Sequence, residues 1–218
     1  MKPFLTAVLD LLYPPKCPFC EKLTGRSGEI CPDCLRLLPF TTHAGAAQKG
    51  EFFDICLSPL YYEGRARDAL LRFKFGGRSA RSTVFARLMA ETVRDHLSGV
   101  IDAVTWVPVS RRRKNRRGYD QAELLARELA RILALPCIPT LRKIRRNAVQ
   151  SSLPEPAQRR ANVSGAYRTV GDVSGKRLLL IDDVITTGAT LSECARMLLM
   201  AGRSKLHNIC TKTGLNRG

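Results

Sequence analysis

The segment 177–190, RLLLIDDVITTGAT, constrains the fold of this chain more than any other. Its apolar run, unbroken until it meets two acids, predicts a buried strand over Arg177–Ile185. The helical pattern that follows predicts a helix over Thr190–Ala201, ended by Gly202. A strand that passes through a polar turn into a helix belongs to an open α/β sheet, where ligands collect at the C-terminal strand ends. Asp182 and Asp183 fall at that end. Adjacent carboxylates repel and resist burial, so they persist where hydroxyl groups or a metal satisfy them. In the turn, Gly188 permits close backbone approach and Thr186, Thr187 and Thr190 supply hydroxyls. The helix start favours a dianion, and Thr190 and Glu193 have capping-box spacing. Acids and anion cradle a few residues apart suit a sugar phosphate. No Gly-Lys-Ser/Thr follows, which excludes a P-loop.

Other segments extend the pattern. Asp102–Val109 is a short β-rich run, and Tyr119–Leu135 places Leu124, Leu125, Leu129, Ile132 and Leu133 on one helical face. Helices are also expected over Ala66–Phe75 and Val84–Leu97. Alternation of strand and helix predicts a parallel sheet with covering helices. Past Gly202 the chain is polar, so the last strand is expected to be short or frayed. The small, polar stretch Thr41–Gly50 reads as a linker, dividing an N-terminal unit over 1–50 from an α/β domain over 51–218.

The N-terminal unit carries Cys17-Pro-Phe-Cys20 and Cys31-Pro-Asp-Cys34. Two C-x2-C turns can aim four thiolates at one centre, the pattern of a tetrahedral zinc site. A redox dithiol appears once rather than twice, and an iron–sulfur cluster is the other alternative. With four cysteine ligands no position is left for water, so the zinc is structural, and metal binding supplies the folding energy of so small a unit. Cys56, Cys137, Cys194 and Cys210 are scattered and read as isolated thiols.

Charge follows the same division. Of 36 basic and 19 acidic residues, 1–60 hold six of each, so the whole excess of +17 lies beyond residue 60. Such a field draws polyanions: nucleic acid, phosphorylated metabolites or an anionic surface. Arg111, Arg112, Arg113, Lys114, Arg116 and Arg117 form a loop-like cluster after the strand ending at Val109, on the side of the sheet that holds the phosphate loop. They suit a pyrophosphate or a nucleic-acid backbone. Tyr119 suits either stacking on a base or anchoring the helix that follows. Residues 141–160, with Arg142, Lys143, Arg145, Arg146, Arg159 and Arg160, read as a mobile loop. No apolar run is long enough to span a membrane. Pro3–Tyr13 is apolar, contains Asp10 and lacks a cleavage site, so it reads as a short amphipathic helix, and a cytoplasmic location is expected.

LLLIDDVITTGATL resembles the PRPP (5-phosphoribosyl 1-pyrophosphate) motif of type I phosphoribosyltransferases. The resemblance implies that Asp182 and Asp183 hold the ribose hydroxyls, and that Thr186, Thr187, Gly188, Ala189 and Thr190 hold the 5′-phosphate. The four-cysteine unit, LLRFKFGGR at 70–78, VPVSRRRKNRRGYDQAELLA at 107–126, and Gln150, Arg160 and Asn162 before GAYR resemble the competence protein F (ComF) family. That resemblance implies a type I phosphoribosyltransferase-like domain behind a small zinc module, with Mg2+ accompanying PRPP. It also implies a role in handling transforming single-stranded DNA, through the pyrophosphate or nucleic-acid loop Arg112, Arg113, Arg116, Arg117 and Tyr119. A competence helicase or another DNA-processing protein is the implied protein partner. An active transferase passing phosphoribosyl from PRPP to a nitrogen base is the alternative.

Overall fold

A computed structural model describes residues 14–25, 29–41, 50–75, 81–97, 99, 101–145, 161–185 and 188–213. Thr186 and Thr187, the apolar start 3–13, most of the linker, Gly76–Arg78, residues 146–160 with Gln150, Arg159 and Arg160, and the tail 214–218 lie outside them.

In chain order the elements are α1 (Pro32–Leu37), β1 (Ile55–Leu57), α2 (Gly64–Phe75), α3 (Ser82–His96), β2 (Ala103–Trp106), α4 (Arg111–Arg117), α5 (Gln121–Leu133), β3 (Leu141–Lys143), β4 (Tyr167–Thr169), β5 (Arg177–Ile185), α6 (Ala189–Met200) and β6 (Lys205–Thr213). β1, β6, β5 and β2 form a parallel sheet in that order, and β3 pairs antiparallel with β4 beside it. Residue alternation sends the two faces of β5 into two cores. Leu179 and Ile181 join Leu70, Phe73, Met89, Leu125 and Leu129 under α2, α3 and α5. Leu178 and Leu180 join Tyr167, Leu191, Cys194 and Leu198 under α6 and the β3–β4 pair.

β5 has the bounds its apolar run predicts. β6 departs from expectation: the polar stretch after Gly202 forms nine residues of strand in the interior of the sheet, paired on one side with β5 and on the other with β1. Leu206, Ile209 and Cys210 are fully buried, and Asn208 is buried with them. Asp54 holds its entry, accepting a hydrogen bond from the Leu206 amide. Neighbours on both sides impose the strand, overriding a weak local pattern.

The expected loop over 111–117 is a helix. Ser110 caps its start by accepting from the Arg113 amide, and Gly118, at φ +80, ends it in the left-handed region. The expected mobile loop begins as β3. Cys56, Cys194 and Cys210 are buried free thiols, and Cys137 is half-buried.

The four-cysteine unit packs against the same core as α2 and α3. Phe19 is buried edge-on against Phe85, with ring centroids 5.7 Å apart. Arg81 of the sheet domain pairs with Glu21, and the Arg72 guanidinium donates to the Phe19 carbonyl at 2.7 Å. Backbone hydrogen bonds from Tyr61 to Pro39 and from Thr41 to Pro59 continue the seam.

Because β6 is an interior strand, Ile209→Ala should lower the unfolding free energy by about 2–5 kcal/mol, the cost of a large-to-small change in a packed core. Urea unfolding measures it. An unchanged midpoint would mean that β6 is a frayed tail.

Candidate functional site

The zinc centre is built from two tight local structures. The first C-x2-C closes when the Glu21 amide donates to the Cys17 carbonyl and the Cys17 amide to the Lys22 carbonyl, with Glu21 in the left-handed region at φ +64. The second opens α1: Cys31 stands at its N-cap, Pro32 begins it, and Cys34 lies one turn on. All four sulfurs lie within 4.8 Å of one another, and those of Cys20 and Cys31 are 3.5 Å apart. A tetrahedron with Zn–S bonds of about 2.3 Å has edges of about 3.8 Å, so the donor set fits zinc. Arg65 of α2 donates to the Cys34 sulfur at 3.3 Å, an outer contact that favours the thiolate.

At the C-terminal end of β5 the two acids part company. Their adjacency in sequence suggests a side-by-side pair, but consecutive strand residues face opposite sides. Asp183 meets the Lys74 ammonium at 2.7 Å. Asp182 accepts from the Asp183 amide at 2.7 Å and lies within the electrostatic reach of Tyr167, Lys143 and Cys194. Burial, and then the charge of Asp183, push the Asp182 carboxyl up to about 8, with Lys74 opposing. Burial works against the charge on Lys74, but Asp183 and Asp182 outweigh it and raise its pKa.

Beyond β5, Gly188 stands at the N-cap of α6 with φ +70, a conformation that favours glycine. Among the described residues no side chain caps the helix, and no acid lies in its first turn. Ala189 is buried and Thr190 half-buried in that turn. The capping box suggested by Thr190 and Glu193 does not form. Glu193 instead accepts from the Gly165 amide at 2.8 Å and pairs with Arg196, tying α6 to the segment that enters β4.

The basic helix α4 divides by exposure. Arg111, Arg112 and Arg116 are exposed, whereas Arg113 and Arg117 are half-buried. Burial, with Arg113 and Arg116, lowers the pKa of Arg117, and Asp183 draws it back up. The charge of Arg113 acts on both Lys143 and Tyr167. Lys114 is held by Glu123 at 2.7 Å. Tyr119 anchors: its hydroxyl donates to the Phe73 carbonyl, and the two rings pack at 6.2 Å. Asp120 caps α5 through the Ala122 and Glu123 amides and accepts from the Val109 amide, stapling the end of the β2 segment to the helix.

One participant is not evident from the sequence, and a second, expected in a mobile loop, stands on a strand. Lys74 sits in register with Ala66 and Leu70 on the buried face of α2. A lysine on an apolar stripe needs a counter-charge, and that was the available signal. Lys143, on β3, donates to the Tyr167 hydroxyl at 3.2 Å and lies 5.0 Å from its ring centre. Burial and Arg113 lower its pKa. That pairing depends on the β3–β4 register, which short strands do not announce.

A double zinc ribbon domain matches residues 8–53, and a phosphoribosyl transferase domain matches residues 119–212. Competence protein F of Haemophilus influenzae is 31% identical over 196 residues, spanning 85% of this chain and 85% of that protein. The chain belongs to the competence protein F family. Competence protein ComFC of Bacillus subtilis is 30% identical over 208 residues, 90% of this chain and 83% of that protein. DNA utilization protein YhgH of Escherichia coli K12 is 29% identical over 203 residues, 89% of this chain and 88% of that protein. The family architecture is therefore a phosphoribosyltransferase-like parallel sheet behind a zinc ribbon, and the ribbon match takes in all four cysteines. Among the described residues no helix is long and apolar enough to cross a membrane.

Two outcomes follow for the site. The raised carboxyl of Asp182 binds a proton more tightly in the folded chain than in the unfolded one. It therefore contributes stability that is fully present below the unfolded pKa near 4 and is lost as pH rises to about 8. Asp182→Asn removes that titration, so the Tm of the variant should gain on the parent steadily from pH 5 to pH 8. A constant difference would remove the raised pKa. For the metal, elemental analysis should give about one zinc per chain, and Cys17→Ser should lower both zinc content and Tm. Full zinc content in that variant would break the four-ligand assignment.

Proposed function

We propose that this chain binds PRPP at the C-terminal end of β5 and couples that binding to the handling of single-stranded DNA in the cytoplasm. One observation carries the reading: two carboxylates at a buried strand end, with Lys74, Arg117 and Lys143 around them, beside a helix start that no described side chain caps. Ribose presents vicinal hydroxyls that the carboxyl groups of Asp182 and Asp183 would hydrogen-bond. The 5′-phosphate takes the amides of Gly188, Ala189 and Thr190, together with Thr186 and Thr187. The half-buried cations suit the pyrophosphate, whose Mg2+ finds a hard oxygen donor in Asp182. Burial, and then the charge of Asp183, raise the Asp182 pKa, and a bound Mg2+ would oppose that rise.

The outward residues Arg111, Arg112 and Arg116 are left for a polyanion backbone. The family relatives support a DNA role through their names, one a competence protein and another a DNA utilization protein. In this reading residues 1–50 serve as a zinc unit that docks a DNA-processing partner, and 51–218 carry the ligand.

A second reading, catalysis, is favoured by the cations beside the site. A base nitrogen would attack C1 of the ribose, its C–O bond to pyrophosphate would break, and Arg113, Arg117 and Lys143 would stabilise the departing charge.

Calorimetry with PRPP and Mg2+ tests the site, with Asp182→Asn and Asp183→Asn as controls. Binding in the parent and its loss in both variants is expected, and unchanged affinity in the variants would remove the acids from the site. The same titration with nucleobases, read for pyrophosphate release, decides the second reading. For DNA, the logarithm of affinity should fall linearly with that of salt. Replacing Arg111, Arg112 and Arg116 with Gln should flatten the slope by about 0.7 for each phosphate that is no longer neutralised. A slope that does not change would place the DNA elsewhere.

A further inference from the structure

We infer that the zinc ribbon is a positioning element of the ribose-phosphate site, acting through α2, with Arg72 and Arg65 as the positioning residues. The inference deepens the proposed function, since it rests on Asp182 and Asp183 as ligand carboxylates.

α2 is seated on the ribbon by two guanidinium groups. Near its start, Arg65 donates to the sulfur of Cys34, one of the four metal-ligating cysteines, at 3.3 Å. Near its end, Arg72 donates to the carbonyl of Phe19, between Cys17 and Cys20, at 2.7 Å, and lies 3.9 Å from Glu21. Both metal-binding turns are thus gripped by one helix. Two residues beyond Arg72 is Lys74, whose ammonium meets Asp183 at 2.7 Å. A separation of two residues is about 200° around a helix, so Arg72 and Lys74 leave opposite sides of a single turn. One points to the ribbon and the other to the ligand carboxylates.

That turn has little freedom. The Phe73 carbonyl accepts from the Tyr119 hydroxyl, and the Lys74 carbonyl accepts from the Gln121 side chain at 3.2 Å. Arg117 in turn donates to Gln121 at 3.0 Å. The Phe73 side chain is wedged between Phe85 and Tyr119, and Phe85 carries Phe19 of the ribbon. Fully buried rings in contact transmit displacement because they have no void to absorb it. The last turn of α2 is therefore fixed from the ribbon side by Arg72 and Phe19, and from the sheet side by Tyr119 and Gln121.

The consequence for the ligand is electrostatic. Ionised carboxylates accept from ribose hydroxyls, whereas a protonated one offers a donor instead. The Lys74 ammonium pairs directly with Asp183 at 2.7 Å and so fixes where that carboxylate stands. Moving that ammonium away therefore leaves Asp183 less compensated and the ribose less well received. The cysteine centre holds the ribbon, the ribbon holds α2, and α2 holds Lys74 in place.

The test is a double-variant cycle on the full zinc-loaded chain with PRPP and Mg2+ as the probe. Arg72→Ala should weaken binding about 5-fold or more with zinc content unchanged, the scale of an ordinary coupling between sites. Lys74→Ala should weaken it at least as much. The double variant should bind no worse than Lys74→Ala alone, because Arg72 acts through Lys74. Arg72→Lys, which keeps a donor for the Phe19 carbonyl, should recover part of the affinity. Additive effects, or an Arg72→Ala chain with reduced Tm and unchanged affinity, would overturn the inference by reducing the contact to a structural one. Should Arg72→Ala fail to fold, Arg65→Gln takes its place in the cycle with the same expectations. If the parent binds no PRPP, the proposed function fails and the lever is judged without ligand. The non-additivity of Lys74→Met and Asp183→Asn in Tm reads their pairing directly. Its disappearance in the Arg72 variant upholds the lever, and its persistence there overturns it.

Discussion

The organising constraint of this molecule is the cost of placing two carboxylates at the end of a strand whose preceding four residues are fully buried. Carboxylates resist such a position unless charge or hydrogen bonds compensate them. The sheet domain supplies that compensation from elements far apart in sequence. Lys74 comes from α2, Arg117 from α4 and Lys143 from β3. The excess of +17 beyond residue 60 is thus partly a local necessity, with the remainder on outward residues such as Arg111, Arg112 and Arg116. Compensation is incomplete, since Asp182 is still pushed up to about 8. An environment that leaves an acid unsatisfied is one prepared for a ligand, and functional sites concentrate such perturbed groups.

What was legible in the sequence was what continuous local pattern encodes. An unbroken apolar run gave the bounds of β5, and helical periodicity gave α5 and α6 to within a residue or two at each end. Cysteine spacing gave the four ligands that the structure gathers. What was illegible depends on partners distant in the chain. β6 is half polar, and only its place between β5 and β1 makes it a strand. β1, β3 and β4 are three residues each, too short to show an alternation. Glu193 has the spacing of a capping residue, but a nearer claim on its carboxylate comes from the Gly165 amide and Arg196. The contiguous segment Asp182–Thr190 offered its candidates directly, whereas Lys74 is brought to Asp183 only by the fold, and Lys143, expected in a mobile loop, is placed on a strand beside Tyr167.

The ribbon illustrates how a small unit becomes part of a larger one. A stretch of this size has too little core for independence, and the metal would supply its folding energy. Yet its phenylalanine and two of its metal ligands are as deeply buried as the residues of the sheet, and they join one apolar cluster with α2 and α3. The Arg81–Glu21 pair, buried on the arginine side, spans the seam. Such a pair is a poor source of net stability, but each partner is costly to leave alone, so it fixes relative placement more than it adds strength. The ribbon is thereby packed as a component of the sheet domain's own scaffold.

The basic helix α4 extends the same logic to the outer surface. Six of its seven residues are cationic, with no acid among them. Like charges one turn apart destabilise a helix, and cations in its first turn oppose the helix dipole. Local propensity therefore does not account for its existence. Its ends do: Ser110 at the start, Gly118 in the left-handed region at the finish, the Lys114–Glu123 bridge to α5, and Arg117 on Gln121. A helix held by its ends against its own repulsion stores unfavourable charge that any bound polyanion would relieve. The inward pair, Arg113 and Arg117, would be relieved by a pyrophosphate and the outward trio by a nucleic-acid backbone. Because both sets ride on one two-turn helix, occupancy of either face lowers the repulsion felt by the other. On the proposed reading, the shape of α4 would give a physical route by which a ribose-phosphate ligand and a polyanion sense one another without touching.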